Sequence, residues 1–169
     1  MKLFTAGYEG SSPSELFECL RQSGVKLLID VRDVPISRKR GFSKTSLAAG
    51  LASVGIDYLH LKGLGDPKPG RVAAREGRYA EFRKIFGAHM RTSAAQQALA
   101  TAVSKASLNH ACLLCFERDH TNCHRSIVAE SMIGLKPFSV VHLTPNAPSR
   151  SIIAKERVFP RAGAVAHIG

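Results

Sequence analysis

Apolar and polar positions follow two periods along the chain, and the period switches several times. Residues 2–7 (KLFTAG) predict a short strand, and the Ser11-Ser12-Pro13 that follows is a capping serine ahead of an early-helix proline. Leu16, Phe17 and Leu20 then recur at helical spacing until Ser23-Gly24 closes the segment. Residues 25–29 (VKLLI) are nearly all apolar and stop at Asp30, the pattern of a strand buried in a parallel sheet. Pro35 and Gly41 enforce a loop. A second helix is predicted over 43–54, with Leu47, Leu51 and Val54 on one side, and a third strand over 56–60. Residues 63–77 hold four glycines and two prolines and read as a long excursion rather than a standard connection. Helices are predicted at 79–90 and 94–107, a strand at 110–116, a helix at 122–133 and a last strand at 138–143. Strands alternating with helices predict an α/β fold, a single three-layer Rossmann-like domain with a mainly parallel sheet, over residues 1–144. Residues 145–169 form a basic extension whose state the pattern leaves open.

Composition agrees with this picture. The 169 residues fit one domain, and 44% hydrophobic content excludes disorder of the whole chain. The apolar runs are a few residues long, far short of the roughly 20 that cross a bilayer, and residues 1–5 lack the apolar core of a secretory signal. The expectation is a cytoplasmic protein with no membrane partner. Cys19, Cys112, Cys115 and Cys123 are then expected as reduced thiols.

Charge adds a candidate partner. The formal net charge is +11, and thirteen basic against five acidic residues between 32 and 91 account for +8 of it. Such a cluster attracts phosphate or nucleic acid. Aromatic residues are 7% of the chain and do not interleave with the basic ones, so a base-stacking platform has little support.

In an open α/β sheet, ligands bind beyond the carboxyl ends of the strands. Three segments qualify: Gly7-Tyr8-Glu9-Gly10 after the first strand, Asp30-Val31-Arg32 through Ser37-Arg38 after the second, and 115–125 (CFERDHTNCHR) after the fourth. In the last, a thiol at a helix start has its pKa depressed, which makes Cys123 a candidate nucleophile or metal ligand. Arg125 at the same helix start is a candidate anion binder. Cys112 and Cys115 are three apart in a strand and point to opposite faces, so they do not chelate together. Cys115, Glu117, Cys123 and His124 offer a thiolate, imidazole and carboxylate mixture suited to Zn²⁺ or Fe²⁺, although the spacing fits no common zinc module. Cys112 and Arg118 have the spacing of a cysteine phosphatase, but a mid-strand thiol with no glycine-rich loop has no oxyanion cradle. Asp30 and Arg32 share a face, so Asp30 can orient Arg32 toward an anion. Tyr8, between Gly7 and Gly10, can approach a ligand closely.

These motifs, together with Pro35, Gly41-Phe42-Ser43, Cys115-Phe116-Glu117 and Cys123-His124-Arg125, resemble the family catalogued as domain of unknown function 488, over about residues 3–143. The resemblance implies a small, single, cytoplasmic α/β domain of prokaryotic type. Two positions depart from that pattern: Phe116 stands where alanine is usual, and Asp66 stands where the pattern has glycine.

Three functions follow. The first is an enzyme or enzyme-like domain that binds a phosphate-bearing ligand, a nucleotide or nucleic acid. In it Arg32, Arg38, Ser37 and Arg125 hold the anion, Glu117 is the general acid or base, Tyr8 and Cys123 join the chemistry, and Asp30 and His124 orient. The second is a non-catalytic nucleic-acid-binding module using the 32–91 segment. The third is a metal- or thiol-dependent enzyme using Cys115, Cys123 and His124. Sequence alone names neither cofactor nor substrate.

Overall fold

A computed structural model describes residues 1–146 and the backbone of the strand Ile153–Arg157. In chain order the elements are β1 (Lys2–Gly7), α1 (Pro13–Gln22), β2 (Leu27–Asp30), α2 (Lys44–Ser53), β3 (Asp57–His60), α3 (Lys68–Arg75), α4 (Tyr79–Met90), α5 (Ser93–Leu108), β4 (Ala111–Cys115), α6 (His124–Leu135), β5 (Ser139–Leu143) and β6 (Ile153–Arg157). Short 3₁₀ turns occupy Lys62–Leu64 and His120–Asn122. The sheet order is β3-β2-β4-β1-β5-β6, parallel from β3 to β5, with β6 antiparallel against β5. This is the expected α/β architecture. No helix among the described residues is long and apolar enough to cross a membrane.

Two apolar layers fill the space between the sheet and its helices. On one face Leu16, Cys19 and Leu20 of α1 and Leu47 and Leu51 of α2 pack on Phe4, Leu28, Cys112 and Leu114. On the other, Phe82 and Phe86 of α4, Leu99 and Val103 of α5 and Val128 and Met132 of α6 pack on Leu3, Ile29 and Leu113. Strand parity thus separates Cys112 from Cys115, as the sequence predicts. The α1 entry carries a full capping box: Glu15 N–H donates to Ser12 Oγ (3.2 Å) and Ser12 N–H to Glu15 Oε2 (2.7 Å).

The excursion expected over 63–77 is a correction. It contains a 3₁₀ turn and the helix α3, in which Pro67 is the N-cap and Pro69 lies in the first turn. There the backbone N–H groups have no helical acceptor, so proline costs nothing. Of the basic extension, Ile153–Arg157 is a strand, and the rest of 147–169 lies outside the described residues.

This topology fixes where a ligand can sit. β1 and β2 feed helices on one face, whereas β4, which lies between them, feeds α6 on the other. Connections that part to opposite faces open a crevice at the strand ends, the usual ligand position in such sheets.

Candidate metal centre

The residues beyond β4 meet in that crevice. Cys115 ends β4, Glu117 stands two residues on, and Cys123 and His124 open α6. Their ligand atoms all lie within 4.8 Å of one another. His124 Nδ1 is 3.6 Å from Cys115 Sγ and 3.9 Å from Cys123 Sγ. Tetrahedral zinc, with Zn–S about 2.3 Å and Zn–N about 2.0 Å, spaces a nitrogen and a sulfur about 3.6 Å apart. Both thiols therefore stand from the imidazole at about the length of a tetrahedral N–S edge. Glu117 is placed differently: its Oε2 accepts from the Cys115 thiol at 2.8 Å and lies 3.2 Å from Cys123 Sγ. Those are hydrogen-bond spacings, shorter than a tetrahedral edge, and Glu117 is half-buried while the other three are buried.

His124 is oriented from behind. Its Nε2 donates to the Val31 carbonyl beyond β2 (2.8 Å), leaving Nδ1 to face the sulfurs. A histidine fixed through its second nitrogen by a backbone carbonyl is the usual outer shell of a metal ligand. Phe86 of α4 packs edge-on against the ring, centroids 5.3 Å apart.

Electrostatics inside the cluster are tightly linked. Burial and the neighbouring Cys123 push the Cys115 thiol well up. Burial opposes ionisation of Cys123 as well, but the Cys115 hydrogen bond and the charges of His124 and Arg125 bring it well below the ordinary thiol range. Burial works against a charged His124, yet Cys123, the Val31 carbonyl and Glu117 raise it to about 9. Glu117 is raised by burial and by Cys123. The protons held here are the ones a divalent ion displaces on binding.

The other expected site residues fall elsewhere or act differently. Arg125 is 1% exposed; its Nε donates to Thr5 Oγ1 (3.3 Å), its Nη1 to the Glu117 carbonyl and its Nη2 to the Arg118 carbonyl (3.1 Å). It therefore clamps the turn that carries Glu117, each of its three nitrogens donating to the protein. Arg32 does likewise: Nε and Nη2 pair with both oxygens of Asp30 (2.8 and 2.6 Å), and Nη1 reaches Tyr8 Oη (3.1 Å) and the Phe42 carbonyl (2.8 Å). Asp30 also accepts from Tyr58 Oη at 2.6 Å. Tyr8 stacks on Phe42, centroids 4.3 Å apart, in the layer under α1 and α2. Asp30, Arg32 and Tyr8 thus form one buried group on the α1 and α2 side, separate from the cysteine cluster. Ser37 holds its own loop, accepting from Lys39 N–H at 3.1 Å, and Arg38 is exposed beside it.

One buried carboxylate stands outside the expected site residues. Asp66, between the 3₁₀ turn and α3, is 4% exposed, and its Oδ1 has no hydrogen-bond partner. Burial pushes it up to about 6, with the charges of His124 and Arg71 pulling the other way. The signal for it is its place after β3, among glycines and prolines that read as loop residues.

No curated protein and no solved structure matches the chain. Residues 12–132 match the family model described as Domain of unknown function DUF488, and the chain belongs to that family.

Proposed function

We propose that the chain is a metal-dependent enzyme in which Cys115, Cys123 and His124 hold a divalent ion, most naturally Zn²⁺, and Glu117 carries a proton. The observation that carries this is an imidazole that faces two thiols at 3.6 and 3.9 Å while its other nitrogen is tied to Val31. A two-cysteine, one-histidine set leaves the fourth position to water or substrate, which is how catalytic zinc sites differ from closed structural ones. Bound there, the ion would polarise a substrate carbonyl or ready a water for attack. Glu117 adjoins that position with a carboxylate pushed up by burial, a direction that favours its carrying a proton.

The anion-binding reading is weaker on this geometry, since Arg32 and Arg125 are committed to protein acceptors. Cobalt substitution tests the metal reading. The wild-type chain should show thiolate-to-cobalt charge transfer and tetrahedral visible bands; Cys115→Ser and Cys123→Ser should lose the charge transfer in part, and Glu117→Gln should keep it. A folded wild-type chain without such bands sinks the proposal.

A further inference from the structure

Basic and aromatic residues do not interleave along the chain, but the fold brings them together beyond the carboxyl ends of β1, β2 and β4. Phe116, between Cys115 and Glu117 in the chain, is 45% exposed just past a strand whose every residue is buried. Glu9 N–H pins its carbonyl (2.8 Å), and its ring stands edge-on to Tyr8, centroids 5.4 Å apart. Tyr8 in turn stacks on the buried Phe42, and Lys39 Nζ lies 5.5 Å from the Phe42 centroid. This row of rings joins the turn after β4 to the loop after β2. The loop is closed on itself: Ser37 N–H donates to Ser43 Oγ (3.1 Å) and Lys44 N–H to the Pro35 carbonyl (2.9 Å). Along it Val34, Ile36, Arg38 and Arg40 are exposed, every second residue. No acidic residue occurs from 34 to 56, and among the described residues none of Arg38, Lys39, Arg40, Lys44 and Arg118 is in an ion pair. Arg118, two residues past Phe116, gives its Nη2 to the neutral Asn146 Oδ1 (2.6 Å), while Glu9 accepts its backbone N–H (2.9 Å). An exposed ring thus stands between two sets of unpaired cations.

We propose that this edge binds single-stranded nucleic acid, with a base stacked on Phe116 and the flanking phosphates on Arg118 at one side and on Arg38, Lys39 and Arg40 at the other. An aromatic side chain set among cations is how proteins hold a single strand without reading its sequence. A duplex keeps its bases stacked on one another and offers the ring none along its length. Carboxylates of an acidic peptide would engage the cations and leave the ring unused. The buried Arg32 and Arg125 take no part, because their guanidiniums are spent on the protein. The surface needs no metal, so it stands apart from the metal reading, although Phe116 adjoins Cys115 and Glu117 in the chain and sets the stacked base beside that centre.

Fluorescence anisotropy of a labelled, mixed-sequence DNA strand of about 12 nucleotides, titrated with the full chain, tests this. The wild-type chain should bind, with log affinity falling linearly in log salt by about 0.7 for each phosphate contact. Arg38→Ala combined with Arg40→Ala should weaken binding and flatten that slope by about 1.4, two contacts' worth. Phe116→Leu keeps the bulk without the ring and should weaken binding about tenfold at an unchanged slope. Arg83→Ala combined with Lys84→Ala removes the same charge from exposed positions of α4 and should leave the affinity nearly unchanged at about 0.15 M salt, where distant charges are screened. No binding at low salt, an equal loss on removing the α4 charges, or full affinity in a folded Phe116→Leu overturns the proposal. Displacement of the labelled strand by poly-glutamate or phosphatidylglycerol vesicles more readily than by unlabelled strand, at the same charge concentration, overturns it in favour of an acidic protein or a membrane.

Discussion

Two buried arginines decide how much of the charge is available for binding. Each spends its guanidinium on the protein: Arg32 on Asp30, Tyr8 and Phe42, Arg125 on Thr5 and the carbonyls of residues 117 and 118. A buried ion pair adds little net stability over an apolar replacement, but losing one partner strands the other charge. Asp30→Asn is therefore expected to lower the unfolding free energy by about 3–5 kcal/mol, read from urea midpoints at unchanged slope. Because this group lies apart from the cysteine cluster, the folded fraction should still take up cobalt. Loss of cobalt binding by a folded Asp30→Asn would argue that the two groups form one site. The residue types at 30, 32 and 125 were legible in the sequence as chemistry-bearing, but the acceptors that engage them were not. Phe42 and Thr5 approach from elements distant along the chain, and nothing in local spacing announces that.

At the scale of elements, the centre depends on the turn after β4 lying flat against the end of β1. Tyr8 N–H donates to the Cys115 carbonyl (3.3 Å) and Glu9 N–H to the Phe116 carbonyl (2.8 Å), continuing the β1–β4 ladder beyond both strands. Gly7 makes this contact possible, since a Cβ there would run into the Glu117 carbonyl, a backbone atom that cannot rotate away. Gly7→Ala should cost several kcal/mol, on the order of other overpacking substitutions or more, and should weaken metal uptake in whatever folds. Gly87 in α4 has open space around its missing Cβ, and Gly87→Ala should stabilise by about 0.5–1 kcal/mol through helix propensity. Thermal melts of the pair check both signs; a neutral Gly7→Ala would mean that the turn is loosely held. Most elements could be read from periodicity, because β2 and β4 are apolar runs and α1 carries its own capping signal. α3 could not, because Pro67, Pro69 and Gly70 look like loop residues until the first turn of a helix is seen to tolerate them.

For the whole molecule, the strand order gathers into one crevice residues as distant along the chain as Val31 and His124, 93 residues apart. Strand order was not readable from the sequence, so even with right-handed crossovers Tyr8 and Arg32 could not be told apart from Glu117 and Cys123, although all four stand at the same sheet edge. The face taken by each helix makes that division: α1 and α2 cover the arginine group, α4 to α6 the cysteines. Strand parity, by contrast, could be counted directly, and it correctly set Cys115 apart from Cys112. The net charge of +11 lies largely outside the two buried arginines and is left for the surface, Arg38 included. The central claim is the identity of the metal ligands, and zinc K-edge X-ray absorption on the zinc-loaded chain reads them directly. The predicted first shell is two sulfurs at about 2.3 Å with nitrogen and oxygen at about 2.0 Å. A shell of nitrogen and oxygen alone, or a chain that retains no zinc after dialysis, would contradict it.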